Sequence, residues 1–131
     1  MHTINLTTAW DCIELPGSET VWGRQFGRPT GIEPPLQVWL VAQPDVLSRC
    51  WLNGNRLTDA AEQGCGLRIT DRLTVRNLLL LPPLTMAAES ISAIITGLMD
   101  GRLVRSRSPL PADLGRVMLT ITTDELDFRL S

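Results

Sequence analysis

The dipeptide Asn53-Gly54, inside Cys50-Trp51-Leu52-Asn53-Gly54-Asn55-Arg56-Leu57, leaves the backbone few choices. Both residues reach positive φ at low steric cost. A two-residue loop with positive φ at both positions is the type I′ turn, whose twist matches that of antiparallel strands. The segment is expected to close a tight hairpin, with a first strand over 48–52 and a short second one from Arg56. An isolated hairpin is marginal in water, so the rest of the chain must supply strands to pack with it.

The flanking sequence is patterned accordingly. Thr3-Ile4-Asn5-Leu6-Thr7 alternates polar and apolar with period two, as a half-buried strand does. Trp10 to Leu15 is a second strand candidate, stopped by Pro16-Gly17-Ser18, and Val21 to Phe26 a third, with Trp22, Arg24 and Phe26 on one side. Residues 27–35 carry Gly27, Pro29, Gly31, Pro34 and Pro35 and can only be loop or turn. Residues 36–42 are apolar on both faces, which predicts a central strand covered on both sides or an edge of the core near a loop, broken by Pro44-Asp45, with Trp39 in the core. Short strands are expected at 67–70 and 74–81, the latter ending at Pro82-Pro83. Residues 117–122 alternate with Thr120 and Thr122 facing solvent, and Leu126, Phe128 and Leu130 continue the alternation.

Residues 86–99 read two ways. Ile91, Ile94, Ile95, Leu98 and Met99 have the spacing of one helical face. Ile and Thr favour strands, Gly97 weakens a helix, and Asp100-Gly101 is a second hairpin signal, so a hairpin between 90–99 and 102–106 is preferred. With eight to ten short strands separated by turns, the expected fold is an all-β sandwich or barrel. The 131 residues suit a single domain that buries roughly two thirds of its unfolded surface.

Composition removes several functions. The formal net charge is −2 and basic runs are absent, against the footprint of a nucleic-acid binder. No stretch approaches the ~20 apolar residues of a membrane span, and residues 1–10 lack the basic and apolar regions of a secretory signal, so a cytoplasmic location is expected. Cys12, Cys50 and Cys65 are odd in number and widely spaced, unlike a disulfide framework or a CxxC zinc site; reduced thiols, buried or half-buried, are expected. All 12 cationic side chains are Arg, which is read as genome composition in preference to guanidinium recognition of carboxylates or stacking on sugars and aromatics.

A resemblance adds to this pattern. Phe26-Gly27-Arg28-Pro29-Thr30-Gly31-Ile32, Val38-Trp39-Leu40-Val41, Trp51-Leu52-Asn53-Gly54, Leu67-Arg68-Ile69-Thr70-Asp71 and Arg76-Asn77-Leu78-Leu79-Leu80 stand in the order seen in the galactose-binding-domain-like jelly-roll family, which includes accessory domains of β-galactosidase and β-glucuronidase type enzymes. The likeness covers about residues 20 to 82 and, loosely, a C-terminal strand at 115–121. Two positions depart from the family pattern: Ile69-Thr70-Asp71 stands in a different order from the usual Asp-Ile-Thr-like turn, and Arg76 precedes Asn77 where Gly is usual. The resemblance implies a jelly-roll sandwich of two antiparallel sheets, with carbohydrate binding at loops on one end.

Catalysis has little to draw on. His2 is the one histidine and sits at a terminus, Lys and Tyr are absent, and neither GxxxxGK nor GxGxxG occurs. Asp11 and Glu14 are the nearest thing to a carboxylate pair for glycoside hydrolysis and are expected to be solvated charges instead. A non-enzymatic binding module with no cofactor or metal is therefore expected, its partner a saccharide or another protein. Trp10, Trp22, Trp39 and Trp51 could serve as sugar platforms, core packing being the alternative for each. Trp22, Arg24 and Arg28, beside the 27–35 loop, are the candidate ligand-binding residues. Asn53 is read as a turn former, and Arg102, Arg105 and Arg107 as a solvated basic edge that discourages aggregation.

Overall fold

The computed structural model describes residues 2–15, 19–57, 66–83, 86–101 and 106–123. These form β1 (His2–Asn5), β2 (Trp10–Leu15), β3 (Glu19–Gly27), β4 (Gln37–Val41), α1 (Pro44–Arg49), β5 (Trp51–Leu52), β6 (Asn55–Arg56), β7 (Gly66–Arg68), β8 (Arg76–Leu81), α2 (Ala88–Met99), β9 (Ser106–Ser108) and β10 (Met118–Thr122). Two sheets result, a four-stranded one in the order β1-β10-β4-β7 and a six-stranded one in the order β6-β5-β8-β3-β2-β9. Every pairing is antiparallel. None of the described helices is long and apolar enough to cross a membrane.

The main core lies between the sheets. Val38, Leu40, Leu67, Leu119 and Ile121 of the four-stranded sheet meet Trp10, Leu52, Leu79 and Leu81 of the other. Of the two positions expected for residues 36–42, the central one is found, since β4 pairs with β10 on one side and β7 on the other. Its alternation also decides the tryptophans. Val38 and Leu40 point inward and are fully buried, which leaves Trp39 half-buried on the outer face. The fully buried tryptophan is Trp10, whose Nε1 donates to the Leu6 carbonyl at 2.6 Å. Thr120 and Thr122, expected in solvent, are 6% and 3% exposed. Strand β10 runs between two neighbours, with Thr120 directly opposite the large side chain of Trp39.

The six-stranded sheet is buried on both faces at β8. Along β8, Leu79 and Leu81 join the main core, while Leu78 and Leu80 join a second cluster with Ile13, Val21, Ile94 and Leu98. This explains the unbroken Leu78-Leu79-Leu80-Leu81 run, since a strand covered on both sides does not alternate. The cover on the outer side is α2, and it replaces the hairpin expected over 86–99. Ile91, Ile94 and Leu98 form its buried stripe. The strand preference of Ile and Thr amounts to a few tenths of a kcal/mol per residue, less than the roughly 1.5–3 kcal/mol that burying each Ile or Leu contributes. Gly23 of β3 makes room: a Cβ there would stand 3.2 Å from Leu98 Cδ1. Asp100-Gly101 is the helix stop rather than a hairpin turn, with Gly101 at φ +69° and its N–H donating to the Leu98 carbonyl at 3.2 Å.

The Asn53-Gly54 turn forms as expected. Asn53 and Gly54 have φ of 52° and 85°, and the two-residue loop sets Trp51 opposite Arg56 and Leu52 opposite Asn55. The strand expected from Ser48 begins later, because residues 44–49 are helical, with Pro44 in the first turn and Val46 and Leu47 buried. Pro44-Asp45 ends one strand and starts that helix. The strand expected over Leu126, Phe128 and Leu130, the second arm at 102–106 up to residue 105, Arg102, Arg105 and Cys65 lie outside the described residues.

Candidate binding site

Strand β3 delivers the chain to the proline-rich loop. The last bridge pairs Gly27 with Arg76, and the Arg28 N–H then donates to the Val75 carbonyl at 3.1 Å. Beyond it, residues 28–36 form neither helix nor strand. Gly31 takes φ +75°, the Leu36 N–H closes the loop onto the Glu33 carbonyl at 2.8 Å, and Ile32 packs against the main core. Between this loop and Val75 lies an open concavity of about 340 Å³. Arg28, Thr30 and Glu33 supply its donors and acceptors; Pro29, Ile32 and Val75 supply apolar surface, and Val75 is 83% exposed.

The three residues singled out from the sequence do not share this concavity. Trp22 pairs with Leu81 at one end of the β3–β8 ladder, whereas Arg28 meets Val75 at the other. Six residues of extended chain separate them by roughly 20 Å. Trp22 is half-buried and packs against the main core. Arg24 spends its guanidinium on the protein, Nε donating to the Thr8 carbonyl at 2.8 Å and Nη1 to the Gln25 carbonyl. Burial lowers its pKa, as does the Arg107 cation, while Asp11 acts in the opposite direction. Of the three, Arg28 lines the concavity. Val75 was beyond sequence reasoning because long-range strand pairing brings it to the loop, and no local signal carries that pairing.

Asp11 and Glu14 are three residues apart on one strand, so their side chains leave opposite faces of the sheet. Glu14 is exposed, but Asp11 is not the solvated charge expected of it: it is 4% exposed, on the face covered by α2, with Arg107 Nε 3.6 Å from its carboxylate. The shared cleft that a pair of hydrolytic carboxylates requires is not available to these two. Burial pushes the Cys50 thiol up to about 12, so it stays protonated and unreactive at neutral pH. Among the described residues no group of three or more His, Cys, Asp or Glu side chains is placed to hold a metal ion.

Comparison of the chain with protein-family models, curated proteins and solved structures finds no match.

Proposed function

We propose that the protein is a non-catalytic carbohydrate-binding module of the galactose-binding jelly-roll kind, with its ligand seated against the 28–33 loop. The observation that carries this reading is the mixed lining of the concavity. Arg28, Thr30 and Glu33 offer donors and acceptors for sugar hydroxyls, next to the apolar surface of Pro29 and Val75 that suits a C–H face. The order of motifs around Trp39, Asn53 and Asn77 supports the jelly-roll assignment. The sandwich holds the loop between β3 and the start of β8, on elements ordered by the core.

Calorimetric titration with a panel of mono- and disaccharides tests the reading. At least one saccharide is expected to bind at millimolar concentration, and Arg28→Ala to weaken it about tenfold, the loss of one good charge-assisted hydrogen bond. Absence of saccharide binding, together with recovery of a defined protein partner whose affinity falls in Arg28→Ala, would replace the sugar with a protein ligand at the same loop.

A further inference from the structure

At the other end of β8, away from the 28–33 loop, a second pocket gathers two arginines and a tryptophan. Trp51 and Arg56 stand directly opposite each other across the hairpin, so their side chains leave the same face. Trp51 also pairs with Leu80 and packs against the cluster beneath α2. Arg49, the last residue of α1, approaches from the side. Its Nη2 donates to the Pro82 carbonyl at 3.3 Å, while its Nε is buried and meets no acceptor among the described residues. Pro82, Pro83, Met86 and Ile91 complete a small pocket of about 30 Å³, room for a carboxylate, which opens to solvent.

The chemistry of this arrangement is specific. No carboxylate among the described residues pairs with Arg49 or Arg56, although both line the same small space. A buried guanidinium N–H without an acceptor is unfavourable, and a planar carboxylate is the partner that satisfies Nε–H and a neighbouring Nη–H together. The remaining walls are an indole, two proline rings and the side chains of Met86 and Ile91, surfaces that accept hydrocarbon or an aromatic ring rather than a hydrated ion.

We propose that this pocket binds a carboxylate carried on an apolar or aromatic body. The carboxylate is held by Arg49 and Arg56, and the body lies against Trp51 and Pro82. Such a group occurs on small aromatic acids and at the end of a peptide chain that terminates in an aromatic residue.

The test is NMR titration of the intact protein, following the arginine Nε–H and tryptophan indole N–H signals. Benzoate is expected to produce saturable shifts at Arg49 and Trp51, and benzamide, which has the ring without the charge, to produce none. Arg56→Ala, at an exposed position that leaves the core untouched, is expected to weaken benzoate about tenfold, and Arg49→Lys to weaken it further. N-acetylphenylalanine binding tighter than benzoate supports a chain-terminal carboxylate as the natural source; the reverse order supports a small aromatic acid. Three results overturn the proposal: no saturable shift with benzoate at millimolar concentration, equal shifts with inorganic phosphate, or benzoate affinity unchanged in both arginine variants.

Discussion

Replacing Asn53 by glycine keeps the positive φ that the turn needs and removes only the side chain, so it asks whether Asn53 does more than turn the chain. In the native protein its Oδ1 accepts the Leu78 N–H at 2.9 Å, while its own N–H donates to the Leu78 carbonyl at 3.0 Å. The amide thereby adds a rung to the β5–β8 ladder beyond the last paired residues. Its Nδ2 donates to Asn77 Oδ1 at 2.9 Å and to the Arg72 carbonyl at 3.1 Å. Asn77 is 2% exposed; it also accepts the Thr74 N–H at 2.8 Å and donates to the Thr74 carbonyl at 2.9 Å. In Asn53→Gly the Leu78 N–H loses its acceptor inside a buried strand, costing roughly 1–3 kcal/mol, and Asn77 loses a donor worth about 0.5–1.5 kcal/mol. The greater freedom of glycine in the unfolded chain adds up to about 1 kcal/mol. A loss of about 2–4 kcal/mol is expected, on the order of 10 °C in melting temperature for a domain of this size. Urea denaturation followed by circular dichroism measures it, and a cycle with Asn77→Ala is expected to show a coupling of about 1 kcal/mol between the two amides. If Asn53→Gly stays within about 0.5 kcal/mol of the native protein, the side chain does not hold β8 and the reasoning fails.

Two further outcomes follow from the packing. Leu98→Ala is expected to cost about 2–5 kcal/mol, since Leu98 is 2% exposed and fills the space over Gly23. Hydrogen exchange should then rise across residues 88–99 before β4 and β10 respond; simultaneous loss of protection in all three would mean that α2 and the sandwich open as one unit. The Cys50 thiol has a raised pKa in the fold, so its contribution is complete below about pH 9 and declines as pH rises toward 12, where the unfolded thiol ionises and the native one does not. The chain has no Lys or Tyr to titrate in that window, so Cys50→Ala should visibly flatten the alkaline fall in stability measured by urea denaturation. An identical fall in the variant would reassign it to other groups.

The elements legible in the sequence are those set by local sterics or by a complete period. Asn53-Gly54 could hardly do anything but turn, Thr3 to Thr7 and residues 117–122 alternate with the strand period, and residues 27–35 hold too many Gly and Pro residues for a regular element. What the sequence left open was decided by which apolar surface still needed a cover. Residues 88–99 carry both a helical stripe and strand-favouring side chains. The exposed side of Ile13, Val21, Leu78 and Leu80 is what selects the helix, because the burial it offers exceeds the propensity it overrides. Tertiary pairing likewise separated Trp22 from Arg28 along one ladder, buried Trp10 and half-exposed Trp39, and carried Val75 to the 28–33 loop. It also changed the meaning of the turn: two positive φ angles are written in Asn53-Gly54 itself, but the bond from Leu78 that makes Asn53 part of the sheet exists only once a strand 25 residues away is in place. Local steric preference acts within a few residues, whereas burial and hydrogen-bond satisfaction are properties of surfaces that only the assembled chain brings together.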